Sequence, residues 1–381
     1  MPRLLFVINE AYFLLSHRLQ IALAAQAAGF EVHVAAPSHH AWAPADFDTS
    51  QLRRLGFKFH VIPMSRRGMN PALELRTFAA LFALYLRLKP DLVHHITIKP
   101  NIYGGIAARL AGVPAVVFAV TGLGEIFSSS GVIAVGIRAF TSVAMAMAFR
   151  HPNARIIFQT PEDAEVLRRR RVVDPARIVI IRGAGVDLAH FTPTPEREGT
   201  PLVVLPARLI WDKGIAEFVE AARLVRKRGI PARSVLVGGT HATNPRSVPI
   251  ETLRRWEADG VVEWWGYRND MAAVLASSHI VCLPSSYGEG VPKVLLEAAA
   301  AGRPIIASDV PGCRQVVTEG QNGLLVPMHD PKALADAVAK LAVAPELRRA
   351  MGASGRQRAE DAFDELAVAR ETMAVYSSLV P

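Results

Sequence analysis

The sequence predicts an α/β protein made of two doubly wound domains, and three observations support this. The chain has 381 residues, of which 51% are hydrophobic and 20% charged, enough for two buried cores of roughly 150–200 residues each. Short apolar segments alternate with helical ones along the first half, and the same alternation restarts after residue 200. Strands that alternate with helices indicate a parallel sheet covered on both faces.

The first half, residues 1–190, is predicted to be one Rossmann-like domain. Its seven predicted strands are short, rich in β-branched or aromatic residues, and bounded by Gly, Pro or polar residues. They are Leu4–Ile8, Glu31–Ala36, Phe57–Pro63, Asp91–Ile96, Ala115–Val120, Ile156–Gln159 and Ile178–Ile181. Between the first two strands we expect a helix over Ser16–Ala28, ended by Gly29.

The second half, residues 201–360, predicts a similar domain after a linker at 191–200 that is rich in Pro and Thr. Its strands are predicted at Leu202–Pro206, Ser234–Gly238, Val261–Trp265, Ile280–Pro284, Ile305–Ser308 and Leu324–Val326. Its helices are predicted at Ile215–Arg228, Ile250–Ala258, Asp270–Ala276, Val294–Ala301 and Pro331–Ala342. The tail is helical by pattern over Glu346–Leu379, and residues 361–381 could cross back to the first domain. Two such domains facing one another would leave a cleft at the carboxyl ends of both sheets.

Composition excludes several classes of protein. Two cysteines, Cys282 and Cys313, cannot form a disulfide framework or a cysteine-rich zinc site, which favours a reducing cytoplasm. No segment reaches the roughly 18–20 uninterrupted apolar residues of a transmembrane helix, since Val132–Phe149 contains Arg138. The opening apolar run, Leu4–Ile8, has the length of a strand and does not resemble a signal peptide.

The net charge of +9 is confined to the first half of the chain. Residues 1–190 carry 21 basic and 12 acidic side chains, whereas residues 191–381 carry 22 of each. A surface for an anionic partner is therefore expected in the first half, and the candidates are nucleic acid, acidic lipid or a phosphorylated substrate.

The strongest motif is Tyr287-Gly-Glu-Gly-Val-Pro-Lys-Val-Leu-Leu-Glu297, which joins a strand to a helix. Its glycines allow a tight loop, and Pro292 suits the start of the helix. Free backbone N–H groups at Lys293 and Val294 would then lie at a positive helix end suited to phosphate. Glu289 and Glu297 could hold hydroxyl groups on either side of that phosphate. The alternative is an ordinary strand-to-helix turn with one exposed and one capping glutamate.

A second motif, Ala207-Arg-Leu-Ile-Trp-Asp-Lys-Gly214, follows the first strand of the second domain. Arg208 and Lys213 would leave the sheet edge together, as a cationic pair able to neutralise a diphosphate. The alternative is two solvated surface charges. A lysine at the start of a helix is disfavoured by the helix dipole, however, and this local conflict favours a functional role.

Four motifs of the second half occur in one order: Arg208-x4-Lys213-Gly214, Glu289-x7-Glu297, Gly302-x-Pro304 and Gly320-x2-Gly323-x2-Val326. Together they resemble the nucleotide-sugar half of the retaining glycosyltransferases of family 4, which have the GT-B fold. Gly185-Val-Asp-x3-Phe191-x-Pro193 resembles the exit of that family from its first domain. Three further segments narrow the resemblance to enzymes that build capsular, O-antigen and glycoprotein-linked oligosaccharides on polyprenyl diphosphate carriers: Phe13-Leu-Leu-Ser-His-Arg18, His94-His-x4-Pro100 and Val120-Thr-Gly-Leu-Gly124.

The resemblance implies a role for each donor-side residue. Arg208 and Lys213 would contact the donor diphosphate, and Glu297 would hold the ribose hydroxyls. Glu289, with the N–H groups of the following loop, would hold the donor sugar; that loop comprises Gly290, Val291, Pro292 and Lys293. Gly238 and Arg268 lie on the loops expected beside the nucleotide. Glu289, Arg208 and Lys213 are the residues expected to be catalytic. The family uses no metal or other cofactor, so these cations and the helix end would stabilise the leaving diphosphate.

The acceptor side is predicted less sharply. Asn9, His17 and Arg18 follow the first strand, and Lys99, Thr121, Gly122 and Glu125 follow later strands. They could meet an acceptor phosphate or hydroxyl, or they could be helix caps and loop residues without a ligand.

The predicted activity is transfer of a hexose or N-acetylhexosamine, with retention, from a nucleotide donor, in the first place a UDP-sugar. The acceptor would be a polyprenyl-diphosphate-linked saccharide. The basic excess and two apolar stretches, Leu73–Leu88 and Val132–Phe149, suggest a peripheral position on the anionic inner face of the cell membrane. Core-facing helices explain the second stretch equally well. Two alternatives are kept: an isomerase of the UDP-N-acetylhexosamine 2-epimerase type, and a basic nucleic-acid-binding protein, which no recognised motif supports.

Overall fold

The computed structural model of the protein describes residues 1–38, 47–65, 70–124, 127, 131–240 and 244–380. Its contacts divide the chain into two compact units. The first comprises Met1–Ala184 together with Leu366–Pro381, and the second comprises Gly185–Glu365. Each unit is an α/β structure around one parallel sheet, as the alternation of strands and helices predicts.

The sheet of the first unit has seven parallel strands in the order β3-β2-β1-β4-β5-β6-β7. They are β1 Arg3–Val7, β2 Glu31–Ala36, β3 Lys58–Val61, β4 Leu92–Ile96, β5 Ala115–Val120, β6 Ala154–Phe158 and β7 Ile178–Ile180. All seven coincide with predicted strands. The central strands β1, β4 and β5 are almost wholly buried, because helices pack on both faces of the sheet.

The described helices of this unit flank the sheet. They are α1 Tyr12–His17, α2 Leu19–Ala27, α3 Ser50–Arg54, α4 Pro71–Leu88, α5 Gly105–Leu110, α6 Val132–Phe149 and α7 Pro161–Arg169, with a π-helical turn at Pro100–Gly104 and a 3-10 turn at Pro175–Arg177. Two apolar clusters form the core, one on each face of the sheet.

The first predicted helix is wrong in detail. The structure begins it at Tyr12 rather than Ser16 and interrupts it at Arg18, whose φ of −137° is not helical. The apolar run Phe13-Leu14-Leu15 therefore belongs to α1, and α2 follows as a separate helix. The break directs the Arg18 side chain into the interior, which periodicity alone does not reveal. Gly29 follows the helix with φ of +90°, as predicted for its end.

The sheet of the second unit has six parallel strands in the order β10-β9-β8-β11-β12-β13. They are β8 Leu202–Pro206, β9 Arg233–Val237, β10 Glu263–Trp264, β11 Ile280–Leu283, β12 Ile305–Ser308 and β13 Gly323–Val326. Its helices are α8 Ile215–Lys227, α9 Ile250–Ala258, α10 Met271–Ser277, α11 Lys293–Ala300, α12 Pro311–Val316, α13 Pro331–Ala342 and α14 Pro345–Ala362, with a 3-10 turn at Trp211–Lys213. The predicted strands and helices of this half all appear, and no end differs from its predicted position by more than two residues.

The segment 191–200, which we predicted as a linker, packs within the second unit. Phe191 joins its core, and Glu196, which is partly exposed, forms a bidentate ion pair with the buried Arg348 of α14. The helical tail is not continuous: it breaks at Phe363, and a last helix, α15 Glu365–Ser377, packs on the first unit's sheet. Tyr376 of α15 is fully buried there, with its hydroxyl 2.6 Å from Nδ1 of His94.

Hydropathy sets a limit on the described helices: none combines the length and the apolar character that crossing a bilayer requires.

Candidate functional site

The carboxyl ends of β8, β9 and β11 gather three loops of the second unit, and glycines allow the loops to touch. Gly214 has φ of +71°, and a Cβ there would lie 1.9 Å from the carbonyl oxygen of Pro284. At Gly238, with φ of +153°, a Cβ would lie 1.8 Å from the carbonyl oxygen of Ala207. No side chain fits at either position, so the backbones after these strands are in direct contact.

A third contact fixes the loop before α11. A Cβ on Gly312, at the start of α12, would lie 1.8 Å from the carbonyl oxygen of Gly290 and 2.5 Å from that of Glu289. The Glu289–Gly290 backbone is thus held against α12. The sequence analysis did not single out Gly312, because its requirement comes from a neighbour that is distant in sequence.

Lys213 and Glu289 form a largely buried ion pair among these loops. The Nζ of Lys213 donates to Oε1 of Glu289 at 2.5 Å, and the Oγ of Ser285 donates to the same oxygen at 2.5 Å. The ammonium also lies 5.4 Å from the centre of the Tyr287 ring, within the range of a cation–π interaction. Burial acts to lower the pKa of Lys213, but Glu289 and Tyr287 oppose it and the pKa is raised, so the ammonium stays charged.

Arg208 lies close enough to Lys213 for its charge to oppose protonation of the lysine. The two cations that the sequence predicted as a pair therefore meet at one sheet edge. Arg268, in contrast, is bound to Asp270 by a hydrogen bond of 2.7 Å. Gly238 donates its N–H to Gly266 and accepts from Nε1 of Trp264; the neighbouring residues 241–243 lie outside the described part of the chain.

Glu297 lies on α11, one turn after the helix begins. The helix starts at Lys293, one residue earlier than predicted, with Pro292 before it and no side chain capping its first turn. The positive end of the helix therefore directly follows the loop that carries Gly290 and Val291. Burial raises the pKa of Glu297 to about 7, although Lys293 at 3.9 Å acts to lower it. Close to neutral pH, Glu297 is therefore poised between its acid and its carboxylate.

Ser285 and Tyr287 have roles that the sequence analysis missed. Ser285 lies two residues before the strongest motif, and Tyr287 opens it. The available signal was their position just before Glu289, but spacing alone does not show that the ring faces Lys213 or that the hydroxyl donates to Glu289.

The residues predicted on the acceptor side follow β1, β4 and β5 of the first unit. Asn9 is partly buried, and Nδ1 of His17 lies 2.7 Å from Oγ of Ser16. Arg18 is only 7% exposed and faces an internal cavity that Thr121 also lines. Gly122 follows with φ of +135°. Glu125 lies outside the described residues.

Lys99 is paired rather than free. Its Nζ donates to Oε1 of Glu74, the acidic residue of the first turn of α4, at 2.5 Å. The backbone on both sides of Lys99 is unusual. Before it, Thr97 has φ of +79°, a strained value for a β-branched residue, and after it a π-helical turn begins at Pro100. Strain and π-turns are often found at binding sites.

Within the described ranges, no group of three or more His, Cys, Asp and Glu side chains is arranged to hold a metal ion.

Comparison with known proteins matches both halves of the chain to glycosyltransferase families. Residues 3–159 match the family described as glycosyl transferase 4-like, and residues 200–343 match glycosyl transferases group 1, so the two together cover most of the chain. The sucrose-phosphate synthase of Thermosynechococcus elongatus has a similar fold, with a TM-score of 0.80 and 20% identity over 100% of this chain and 99% of that one.

Two curated relatives are enzymes that act on carrier-linked sugars. The N,N'-diacetylbacillosaminyl-diphospho-undecaprenol α-1,3-N-acetylgalactosaminyltransferase of Campylobacter jejuni is 29% identical over 350 residues, which is 88% of this chain and 90% of the relative. The UDP-Gal:α-D-GlcNAc-diphosphoundecaprenol α-1,3-galactosyltransferase of Escherichia coli is 29% identical over 283 residues, or 71% of this chain and 70% of the relative. The family matches and the first of these relatives extend over both halves of the chain. The chain therefore belongs to the glycosyltransferases of family 4 type and is a hexosyltransferase with the GT-B fold.

Proposed function

We propose that the protein transfers a hexose or N-acetylhexosamine, with retention, from a UDP-sugar to a saccharide carried on polyprenyl diphosphate. The observation that carries this proposal is the Lys213–Glu289 ion pair, together with Glu297 on the helix that follows the same loop, inside the domain that matches group 1 glycosyltransferases. The two curated relatives, both named for acceptors on undecaprenyl diphosphate, support the acceptor class.

In this proposal the donor diphosphate lies between the Arg208–Lys213 cations and the start of α11. The cations and the helix end would stabilise the charge that develops on the diphosphate as its bond to the sugar breaks. In this proposal the neutralisation needs no metal, because the half-buried cations Arg208 and Lys213 and the helix dipole would act on the diphosphate together.

The carboxylate of Glu297 would accept hydrogen bonds from the ribose hydroxyls. Glu289, which already accepts from Lys213 and Ser285, would orient the sugar with its second oxygen. The acceptor hydroxyl would approach the anomeric carbon from the face that the nucleotide leaves, and its proton would pass to the departing phosphate oxygen. Asn9, His17, Lys99, Thr121 and Gly122 remain our proposed acceptor contacts.

The test is transfer from radiolabelled UDP-galactose and UDP-N-acetylgalactosamine to undecaprenyl-diphosphate-linked N-acetylglucosamine, with and without EDTA. We expect an α-linked product, identified by its anomeric NMR coupling, and full activity in EDTA. Lys213→Ala and Glu297→Ala should abolish transfer while circular dichroism stays unchanged. Full activity in both variants would contradict the proposal, and Lys227→Ala, at the exposed end of α8, is the matched control.

The two alternatives are not favoured by the family matches. An isomerase would convert UDP-N-acetylglucosamine with no acceptor present, and a nucleic-acid-binding protein would bind a random duplex and ignore UDP. Both assays can be run on the same preparation.

We further propose that the first unit rests on an anionic membrane surface in the cytoplasm. Four apolar side chains of α6 are at least half exposed: Val135, Phe140, Val143 and Met147. By their spacing, Phe140, Val143 and Met147 share one face of the helix. The excess of basic residues in the first half would add attraction to acidic lipids.

Vesicle sedimentation tests the membrane proposal. The protein should bind phosphatidylglycerol-containing vesicles more strongly than phosphatidylcholine vesicles, and binding should weaken with salt. The double variant Phe140→Ser, Val143→Ser should lose binding, whereas Val343→Ser, which is equally exposed on the second unit, should not. Equal binding by the double variant and the native protein would refute this proposal.

A further inference from the structure

A small internal cavity lies at the carboxyl ends of β5, β6 and β7 in the first unit. It has a volume of about 10 Å³, close to the minimum that holds one water-sized particle and too small for a phosphate group. Residues from both ends of the chain line it: Arg18, Ile21, His94, Ala119, Val120, Thr121, Ile157, Gln159, Ile181, Gly183, Val368 and Thr372.

The cavity contains a buried positive charge. The guanidinium of Arg18 donates to the carbonyl oxygens of His17 and Gly183, at 3.3 and 3.5 Å, and pairs with no carboxylate among the described residues. Both hydrogen bonds are long. Burial lowers the pKa of Arg18 to about 10, so it remains charged at neutral pH. A buried charge without a counterion is costly, which means that something should compensate it.

The second polar group in the cavity is the ring of His94. Its Nδ1 lies 2.6 Å from the Tyr376 hydroxyl, and its Nε2 is buried with no hydrogen-bond partner in the described part of the chain. Burial and the charge of Arg18 hold the pKa of His94 well below its ordinary value, so the ring is neutral and carries one hydrogen.

The hydroxyl of Tyr376 determines which nitrogen carries that hydrogen. Burial raises the pKa of Tyr376, so the phenol keeps its proton, and Nδ1 of His94 is the one acceptor that the hydroxyl contacts within the described structure. A buried O–H left without an acceptor is costly, so Tyr376 donates to Nδ1. The hydrogen of His94 is therefore on Nε2, where it is a buried donor without an acceptor.

Arg18 and His94 thus line the same small cavity, and none of its described lining residues is acidic. A water molecule would satisfy the N–H but would leave the charge of Arg18 uncompensated. We propose that this cavity is a binding site for a monatomic anion of the chloride type, held by Arg18 and the Nε2–H of His94. The site lies within the first unit, and the inference does not depend on the proposed donor or acceptor.

The direct test is crystallography of the native protein in sodium bromide. We expect an anomalous peak of bromide in the cavity, in contact with Arg18 and with Nε2 of His94. A cavity that holds a water molecule, or is empty, at high bromide would overturn the proposal.

The solution test is the melting temperature during a chloride titration against sodium gluconate at matched ionic strength. Because the anion binds only the folded state, chloride should raise the Tm of the native protein by about 3 °C more than gluconate does. Arg18→Met should abolish the difference. Arg182→Met is the matched control, since it removes the same charge from an exposed neighbour of Gly183.

A second variant covers the case in which Arg18→Met does not fold. Tyr376→Phe removes the donor to Nδ1, which frees the His94 ring to place its hydrogen there and turns Nε2 into an acceptor. We expect this variant to need at least tenfold more chloride for the same rise in Tm. An identical Tm in chloride and gluconate for the native protein would mean that the site does not bind anions in solution.

Discussion

Glu297 lies on α11 near Lys293 with its side chain 14% exposed, and this partial burial raises its pKa to about 7. If its carboxylate accepts the ribose hydroxyls, UDP should bind several-fold more tightly at about pH 8 than at about pH 6, because ionised Glu297 is the stronger acceptor. Calorimetric titration with UDP across this range measures the effect. Glu297→Gln should remove most of the dependence of UDP affinity on pH. The protonation of UDP itself affects the native protein and the variant equally, so it does not contribute to the difference between them.

The same pKa shift should make the unliganded fold less stable as the pH rises, whereas it makes UDP bind more tightly. A carboxyl whose pKa is raised from 4.5 to about 7 on folding stabilises the fold below the lower value, and this stabilisation is lost as the pH rises through the higher one. The unliganded native protein should therefore lose stability relative to Glu297→Gln between about pH 5 and pH 8. Denaturant unfolding at both pH values checks this sign; a difference in stability between the two proteins that does not change with pH would show that Glu297 is ionised throughout.

Tyr287 is expected to position Lys213 through its ring. Replacing the ring with an alkyl chain, as in Tyr287→Leu, removes a cation–π contact at 5.4 Å and should raise the KM for the donor about threefold to thirtyfold. Tyr287→Phe keeps the ring and should retain most of the affinity. Equal KM values for the two variants would assign the contact to packing alone.

At the scale of elements, the approach of α12 to the donor loop gives a further prediction. Gly312→Ala would place a methyl group 1.8 Å from the carbonyl oxygen of Gly290, so the loop or α12 must move. We expect kcat/KM to fall by at least about tenfold, since loop displacement misplaces Glu289. Gly136→Ala, which adds a methyl group in open space on α6, is the control and should leave activity unchanged.

The elements themselves follow closely from the sequence, whereas their interruptions do not. All thirteen predicted strands appear because β-branched runs between Gly and Pro are a local signal. The break at Arg18 leaves the apolar pattern almost undisturbed, and the break at Phe363 occurs where Val186 pairs with Asp364, a contact between distant segments.

The candidate site divides in the same way. Lys213, Glu289 and Glu297 could be singled out as candidates from spacing and from the conflict between a lysine and a helix start. The contacts of Tyr287, Ser285 and Gly312 could not, because they depend on how three loops pack at one sheet edge. On the acceptor side, sequence position after a strand did not reveal that Arg18 is buried or that Lys99 is paired with Glu74.

At the scale of the whole molecule, every predicted donor contact lies in one continuous segment, Gly185–Glu365. This segment has its own sheet and two apolar clusters, so we expect it to fold alone and to bind UDP with an affinity within about threefold of the full chain. Thermal shift and calorimetry of the isolated segment measure both. Loss of UDP binding by a folded segment would show that the first unit contributes to the donor site.

The first unit differs, because its core is completed by the last residues of the chain. Val368, Ala369, Tyr376 and Leu379 are buried against the sheet that the first 184 residues form. During synthesis, the amino-terminal part therefore leaves the ribosome early but must wait, with one face of its sheet open, until the residues from Leu366 onward have emerged. The second unit can fold during that wait. A polypeptide truncated before α15 would hold a complete second unit joined to an unfinished first unit, whose open apolar face makes it a target for proteolysis.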